Sequence, residues 1–188
     1  MAVLPIRISG DPVLHSPALP VVKIDDDVRV LVRDMYETMD AAPGVGLAAP
    51  QVGIPLRVFT YGWVDESGKK WRGAAINPEL WITPPPAGEP DPEEESEGCL
   101  SFPGERFPLR RAERALLRAT ELDGTPFEIE ADGWLARIFQ HEYDHLDGTI
   151  YTDRLGERDQ RVVAKIAKKV GWGRPGVSWM PGVDDLEG

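Results

Sequence analysis

The run His141-Glu142-Tyr143-Asp144-His145 constrains this chain more than any other stretch, because it works as a unit only on an α-helix. Side chains four positions apart then share one face, so the two imidazoles project together and can hold one metal ion. Glu142 lies one step round the helix and reaches a water bound to that ion. Two ligands and a general base thus occupy five residues. The chain has three histidines, and two of them are in this run. The flanking Leu135, Ile138, Phe139 and Leu146 are apolar, so the helix is expected to be buried, where histidines need partners.

A catalytic site of this type needs a third protein ligand and an open position. No histidine follows His145, and Cys99 is the only cysteine. An intramolecular disulfide is therefore impossible. A lone cysteine is commonly a small buried hydrophobe. Beside a dication, however, a thiol loses its proton and becomes a strong ligand. Gly98, just before Cys99, permits close backbone approach. A third segment, Gly44-Val45-Gly46-Leu47-Ala48-Ala49-Pro50-Gln51, is rich in small residues. It lacks the Gly-Lys-Ser/Thr ending of a phosphate loop. Gln51 offers an amide N–H able to stabilise an oxyanion.

The size, 188 residues, suits one domain spanning 1–188, with an irregular C-terminal tail over about 171–188. With 41% hydrophobic and 28% charged residues the composition is that of a soluble globular protein. No eighteen-residue apolar stretch predicts a membrane span, and the first residues do not resemble a signal peptide. A cytoplasmic location is expected. The net charge of -11 argues against DNA as a partner. Acid concentrates in Glu89 to Glu97, read as a solvated loop. Arg154, Arg158, Arg161, Lys165, Lys168 and Lys169 form a basic cluster near the other end.

Apolar spacing predicts a helix from about Asp27 to Asp40, capped by Asp25 and Asp26, and another from Glu157 to Val170. Its apolar residues Val162, Val163, Ile166 and Val170 are expected to pack on the domain. Strands are expected at 56–63, up to Ile76, at 114–121 and 126–131, and at Thr149–Thr152. Asn77-Pro78 reads as a turn. Strands with few long helices suggest an α+β fold, with sheets around a central helix carrying the metal motif.

Three segments together resemble the signature motifs of the peptide deformylase family, in the family's order and approximate spacing. They are Gly44 to Gln51, then Glu97-Gly98-Cys99-Leu100-Ser101, then Gln140-His141-Glu142-Tyr143-Asp144-His145-Leu146-Asp147-Gly148. The resemblance runs from the N-terminal arm to about Leu155. It implies a hydrolase that removes the formyl group from N-formylmethionyl nascent peptides, releasing formate. Cys99, His141 and His145 are then the metal ligands and Glu142 the general base for an activated water. The Gln51 side chain and the Leu100 backbone N–H stabilise the oxyanion. The peptide lies extended beside Gly44, Val45, Gly46 and Gly98, and its methionine enters a pocket walled by Trp134, Ile138 and the stem of Arg137. Arg106 stands at the rim, and Arg111 and Asp144 are candidate supporting charges.

Ligand softness alone points to zinc. The family resemblance implies Fe(II), with zinc, nickel or cobalt able to substitute. It also implies a monomer, with ribosome contact through the basic C-terminal helix. Two other readings share the motif. A general metallopeptidase would draw its third ligand from downstream, and a structural metal site would use four protein ligands and need neither Glu142 nor Gln51.

Overall fold

The computed structural model describes residues 2–184 and 186. In chain order its elements are β1 (Ile6–Arg7), α1 (Asp26–Ala41), β2 (Gly46–Ala48), β3 (Val58–Val64), β4 (Lys70–Ile82), β5 (Ser96–Cys99), β6 (Phe102–Pro108), β7 (Arg114–Thr120), β8 (Pro126–Asp132), α2 (Gly133–Leu146), α3 (Glu157–Val170) and β9 (Ser178–Trp179). Short 3-10 turns lie at Pro12–His15, Ala49–Val52 and Tyr151–Arg154. The result is the expected α+β architecture.

An antiparallel sheet, ordered β2-β3-β4-β7-β8, divides two apolar layers. Alternation along the strands supplies both faces. Leu47, Val58, Ala74 and Ile76 meet Val28, Val32, Met35 and Met39 of α1. Ala48, Phe59, Ala75 and Leu117 meet Leu135, Ala136, Ile138 and Phe139 of α2. Each large apolar side chain so buried contributes about 1.5–3 kcal/mol. Helix α1 starts where Asp25 accepts the Val28 N–H, and Asp26 and Asp27 complement the positive end of its dipole.

Helix α2 is held at its middle and at its C-terminus. Gln140 bonds both the N–H and the carbonyl of Ala112. At the C-terminus Arg57 donates to the Leu146 carbonyl and to Asp147, setting a cation against the negative dipole end. Gly148 turns the chain with φ 73°, and a Cβ there would collide with the Ser16 backbone.

Several expectations change. Asn77-Pro78 does not turn the chain; β4 runs through it with a register shift between Ile76 and Glu79. Asn77 takes φ 50°, which asparagine tolerates, and its amide clamps both backbone groups of Val21. Thr149–Thr152 forms no strand. Asp153 accepts the Ile150 N–H and winds residues 151–154 into a 3-10 turn, overriding their β-branched preference. The glycine-rich segment is not a plain loop: it supplies β2 and a 3-10 turn.

The acidic segment is only partly solvated, since Glu95 and Glu97 turn inward onto arginines. On α3, Val163 and Ile166 pack against the β5–β6 hairpin, whereas Val162 and Val170 stay exposed. The tail is not wholly irregular, because β9 pairs antiparallel with β1. Among the described residues no helix is long and apolar enough to cross a membrane.

Candidate metal centre

Helix α2 brings His141 and His145 to one face, as the four-residue spacing requires. Their Nε2 atoms approach to 3.2 Å, and Cys99 Sγ lies 3.3 Å from His145 Nε2. All three ligand atoms fall within 4.8 Å of one another. Tetrahedral bonds of the usual zinc lengths would separate such atoms by roughly 3.3–3.6 Å. Two imidazole nitrogens facing each other beside a buried sulfur are best reconciled by a cation between them. The donor set therefore fits one metal ion.

The surroundings favour positive charge at this point. His141 Nδ1 meets Glu97 Oε1 at 2.6 Å, which leaves its Nε2 facing the sulfur and the second histidine. Burial opposes a proton on His141, but Cys99 and Glu97 outweigh it and raise its pKa well above the ordinary value. Burial, and then His141, hold His145 well below its ordinary pKa, in the neutral form that binds metals.

Glu97 is the residue the sequence reading used only as part of a motif. Strand alternation could have found it, because Glu97 and Cys99 are two apart on β5 and share a face. Burial would raise its pKa, but Arg111 and then His141 hold the carboxyl well below the usual range. Arg111 bonds Glu97 through two nitrogens at 2.6 and 3.0 Å and Asp144 through a third at 2.6 Å. Arg137 adds a bond to Glu97 at 3.1 Å, and Arg154 closes on Asp144. Arg154, counted from sequence with the basic cluster, thus belongs to this network. Arg111 and Asp144 sit where the sequence reading placed them, as charges beside the ligands. Arg137 is more than an apolar stem: it is a buried, paired cation whose guanidinium also lies over Trp134, 5.2 Å from the ring centroid.

A cavity of about 600 Å³ opens over this group. Gly44, Val45, Gly46, Gln51, Gly98, Cys99, Leu100, Trp134, Ile138, His141 and Glu142 all line it. His145 lies deeper, 1% exposed. Trp63 joins the lining beside Trp134, with ring centroids 6.2 Å apart, a contribution not foreseen from sequence. Arg106 reaches the rim as expected. Among the described residues β2 is an edge strand and β5 pairs only with β6, and the two strands reach the cavity at Gly46 and Gly98.

Glu142 is buried, and its Oε2 has no hydrogen-bond partner among the described residues. Burial pushes its carboxyl up to about 7. A Cβ on Gly46 would overlap the Glu142 carboxylate, so glycine here makes room for that group. Gln51 accepts the Ala48 N–H with its carbonyl, which turns its amide nitrogen toward Cys99 Sγ (3.7 Å) and Ser101 Oγ (3.3 Å).

Residues 3–161 match the family model described as Polypeptide deformylase. The chain belongs to the peptide deformylase family. It is therefore an enzyme, and removal of a formyl group is the family's function. A peptide deformylase of Rhodococcus opacus is 53% identical over 186 residues, covering 97% of this chain and 95% of the relative. One from Mycolicibacterium smegmatis is 49% identical over 189 residues, with 97% and 96% covered. Among solved structures, a Legionella pneumophila peptide deformylase superposes with TM-score 0.76 at 36% identity, over 90% of this chain and 96% of its own. The Ehrlichia chaffeensis enzyme in complex with actinonin gives 0.78 at 35%, over 90% and 98%. The deformylase family is metal-dependent, and Cys99, His141 and His145 form a group that can bind the ion.

Proposed function

We propose that this peptide deformylase hydrolyses the formyl group from the N-terminal methionine of nascent polypeptides, with Cys99, His141 and His145 holding Fe(II). The observation that carries the reading is the convergence of these three donors beside the buried carboxylate of Glu142, whose Oε2 has no hydrogen-bond partner among the described residues. When bound, the metal lowers the pKa of a water molecule and polarises a carbonyl. Glu142 accepts the proton of that water as it attacks the formyl carbon, then delivers it to the leaving amine. A carboxyl held near neutrality by burial suits both transfers. Gln51 Nε2 and the Leu100 N–H serve the developing oxyanion.

The peptide adds as a strand between the edges at Gly44, Val45, Gly46 and Gly98, which accepts varied sequence after the first residue. Trp63, Trp134 and Ile138 receive the methionine side chain. A monomer acting in the cytoplasm is part of the same proposal.

The test is formate release from a formyl-Met tripeptide by protein prepared without oxygen and loaded with Fe(II), beside zinc, nickel and cobalt forms. Release is expected from the formyl peptide and not from its acetylated counterpart. No release with one metal bound per chain would defeat the reading. Loss of activity in air with the zinc form unaffected is the signature expected of iron oxidation, whereas loss in both forms would point to the Cys99 thiolate.

The exposed Arg158, Arg161, Lys165, Lys168 and Lys169 of α3 support ribosome contact. Reversing Lys165, Lys168 and Lys169 to glutamate should abolish salt-sensitive co-sedimentation with ribosomes. Co-sedimentation that survives the reversal would remove α3 from that role.

A further inference from the structure

The C-terminal tail lies beyond the residues matched by the family model, yet it reaches the metal centre through one bond. Trp179 of β9 is buried in the α1 side of the core, 4% exposed, and its indole Nε1–H donates to the Leu100 carbonyl at 2.8 Å. That carbonyl belongs to the peptide group joining Leu100 to Ser101. The N–H of the same peptide group, on Ser101, donates to Cys99 Sγ at 3.4 Å. In a trans peptide the carbonyl and the N–H point in opposite directions. Holding the oxygen toward Trp179 therefore holds the hydrogen toward the sulfur.

A second clamp acts one residue on, where the Ser9 N–H donates to the Ser101 carbonyl at 2.8 Å. The two clamps are fastened to each other. The Gly173 N–H donates to the Ser9 carbonyl at 3.0 Å and the Ile8 N–H to the Val177 carbonyl at 3.0 Å. Gly10 packs so closely on the Gly173 backbone that a Cβ would collide with it. Ile6 pairs with Trp179 in the β1–β9 ladder. The β5–β6 ladder shifts register between Gly98 and Cys99, and Leu100 and Ser101 form the turn closed by the Cys99–Phe102 pair. The two chain ends add their clamps to the peptide group at the centre of that turn.

We propose that Trp179 is a positioning residue for the metal centre, acting through the Leu100–Ser101 peptide group on the Cys99 sulfur. A hydrogen bond to a carbonyl polarises its amide and strengthens the N–H at the other end. An N–H bond to a ligating sulfur draws charge from it and leaves the metal more acidic. The same clamp steadies Leu100, whose own N–H is the next donor along the chain. This role rests on the reading of Cys99 as a ligand and Leu100 as an oxyanion donor.

The test compares Trp179→Phe with Val32→Ala in the full-length chain. Phenylalanine keeps an aromatic ring in the core and removes the donor. Val32→Ala thins the same core from α1 and leaves the indole and both chain ends intact. With Fe(II), Trp179→Phe is expected to lower kcat about three- to tenfold, the loss of one ordinary hydrogen bond, with KM nearly unchanged. In the Co(II)-loaded protein, its sulfur-to-cobalt charge-transfer band should move to longer wavelength, because the thiolate regains charge. Val32→Ala should lower Tm and leave kcat and the band as in the parent. A Trp179→Phe protein with parental kcat and band would overturn the proposal, whatever its Tm.

If Trp179→Phe does not fold, the indole N–H resonance of Trp179 in the parent protein decides. It should shift between the metal-free and Zn(II)-loaded forms, and a resonance that stays in place overturns the proposal. A parent protein with neither formate release nor the cobalt band would overturn the reading of the site itself, and the role of Trp179 with it.

Discussion

Glu142→Gln is expected to slow formate release about 10²–10⁴-fold, the usual worth of a positioned general base. The substitution preserves shape and hydrogen-bonding capacity but cannot take up a proton. The Glu142 carboxylate contributes no ligand atom to the Cys99–His141–His145 group, so metal content should remain one ion per chain. Folding should also survive, because the carboxylate leaves Oε2 unpartnered and anchors nothing through it. Turnover and metal analysis on the same preparation separate the outcomes. Parental turnover would remove Glu142 as the base. Loss of turnover together with loss of metal would show that its part lies in building the site.

Arg111→Met is expected to destabilise the protein by about 3–5 kcal/mol, because breaking a buried ion pair leaves charge stranded in a poorly solvating interior. The Arg111 side chain is 6% exposed, and its partners Glu97 and Asp144 are 4% and 8% exposed. Burial opposes the arginine's charge, and Glu97 and Asp144 more than restore it, so its pKa is raised. For a chain of this size that destabilisation is roughly 6–20 °C in Tm. The comparison is Arg118→Met, which removes an exposed pair with Glu128 and should cost no more than about 1 kcal/mol. Thermal melts of both variants, each metal-loaded, give the answer. Equal losses would mean that Arg137 and Arg154 alone neutralise the two buried carboxylates.

Much of the site was legible because its parts are local. His141 and His145 share a face by helical period, and the apolar face of α1 and its Asp25 cap are read from neighbours in the chain. The β7–β8 hairpin follows from alternation around a glycine turn. Where local preference was overridden, a tertiary or capping contact is visible. Asn77 spends its amide on the distant Val21, and Asp153 winds a β-branched stretch into a turn. Arg154 looked like one more surface cation until Asp144 drew it into the network.

The metal-bearing helix, the single thiol and the three motifs that mark the family can all be read along the chain. What meets across it is settled on folding. His145 finds Cys99 from 46 residues away, His141 finds Glu97 from 44, and Trp179 reaches the Leu100 carbonyl from 79. Helical and strand periods describe which side chains share a face, and nothing in them records which faces come together. That depends on how the sheet is layered between α1 and α2 and on which buried charges can be neutralised once it closes.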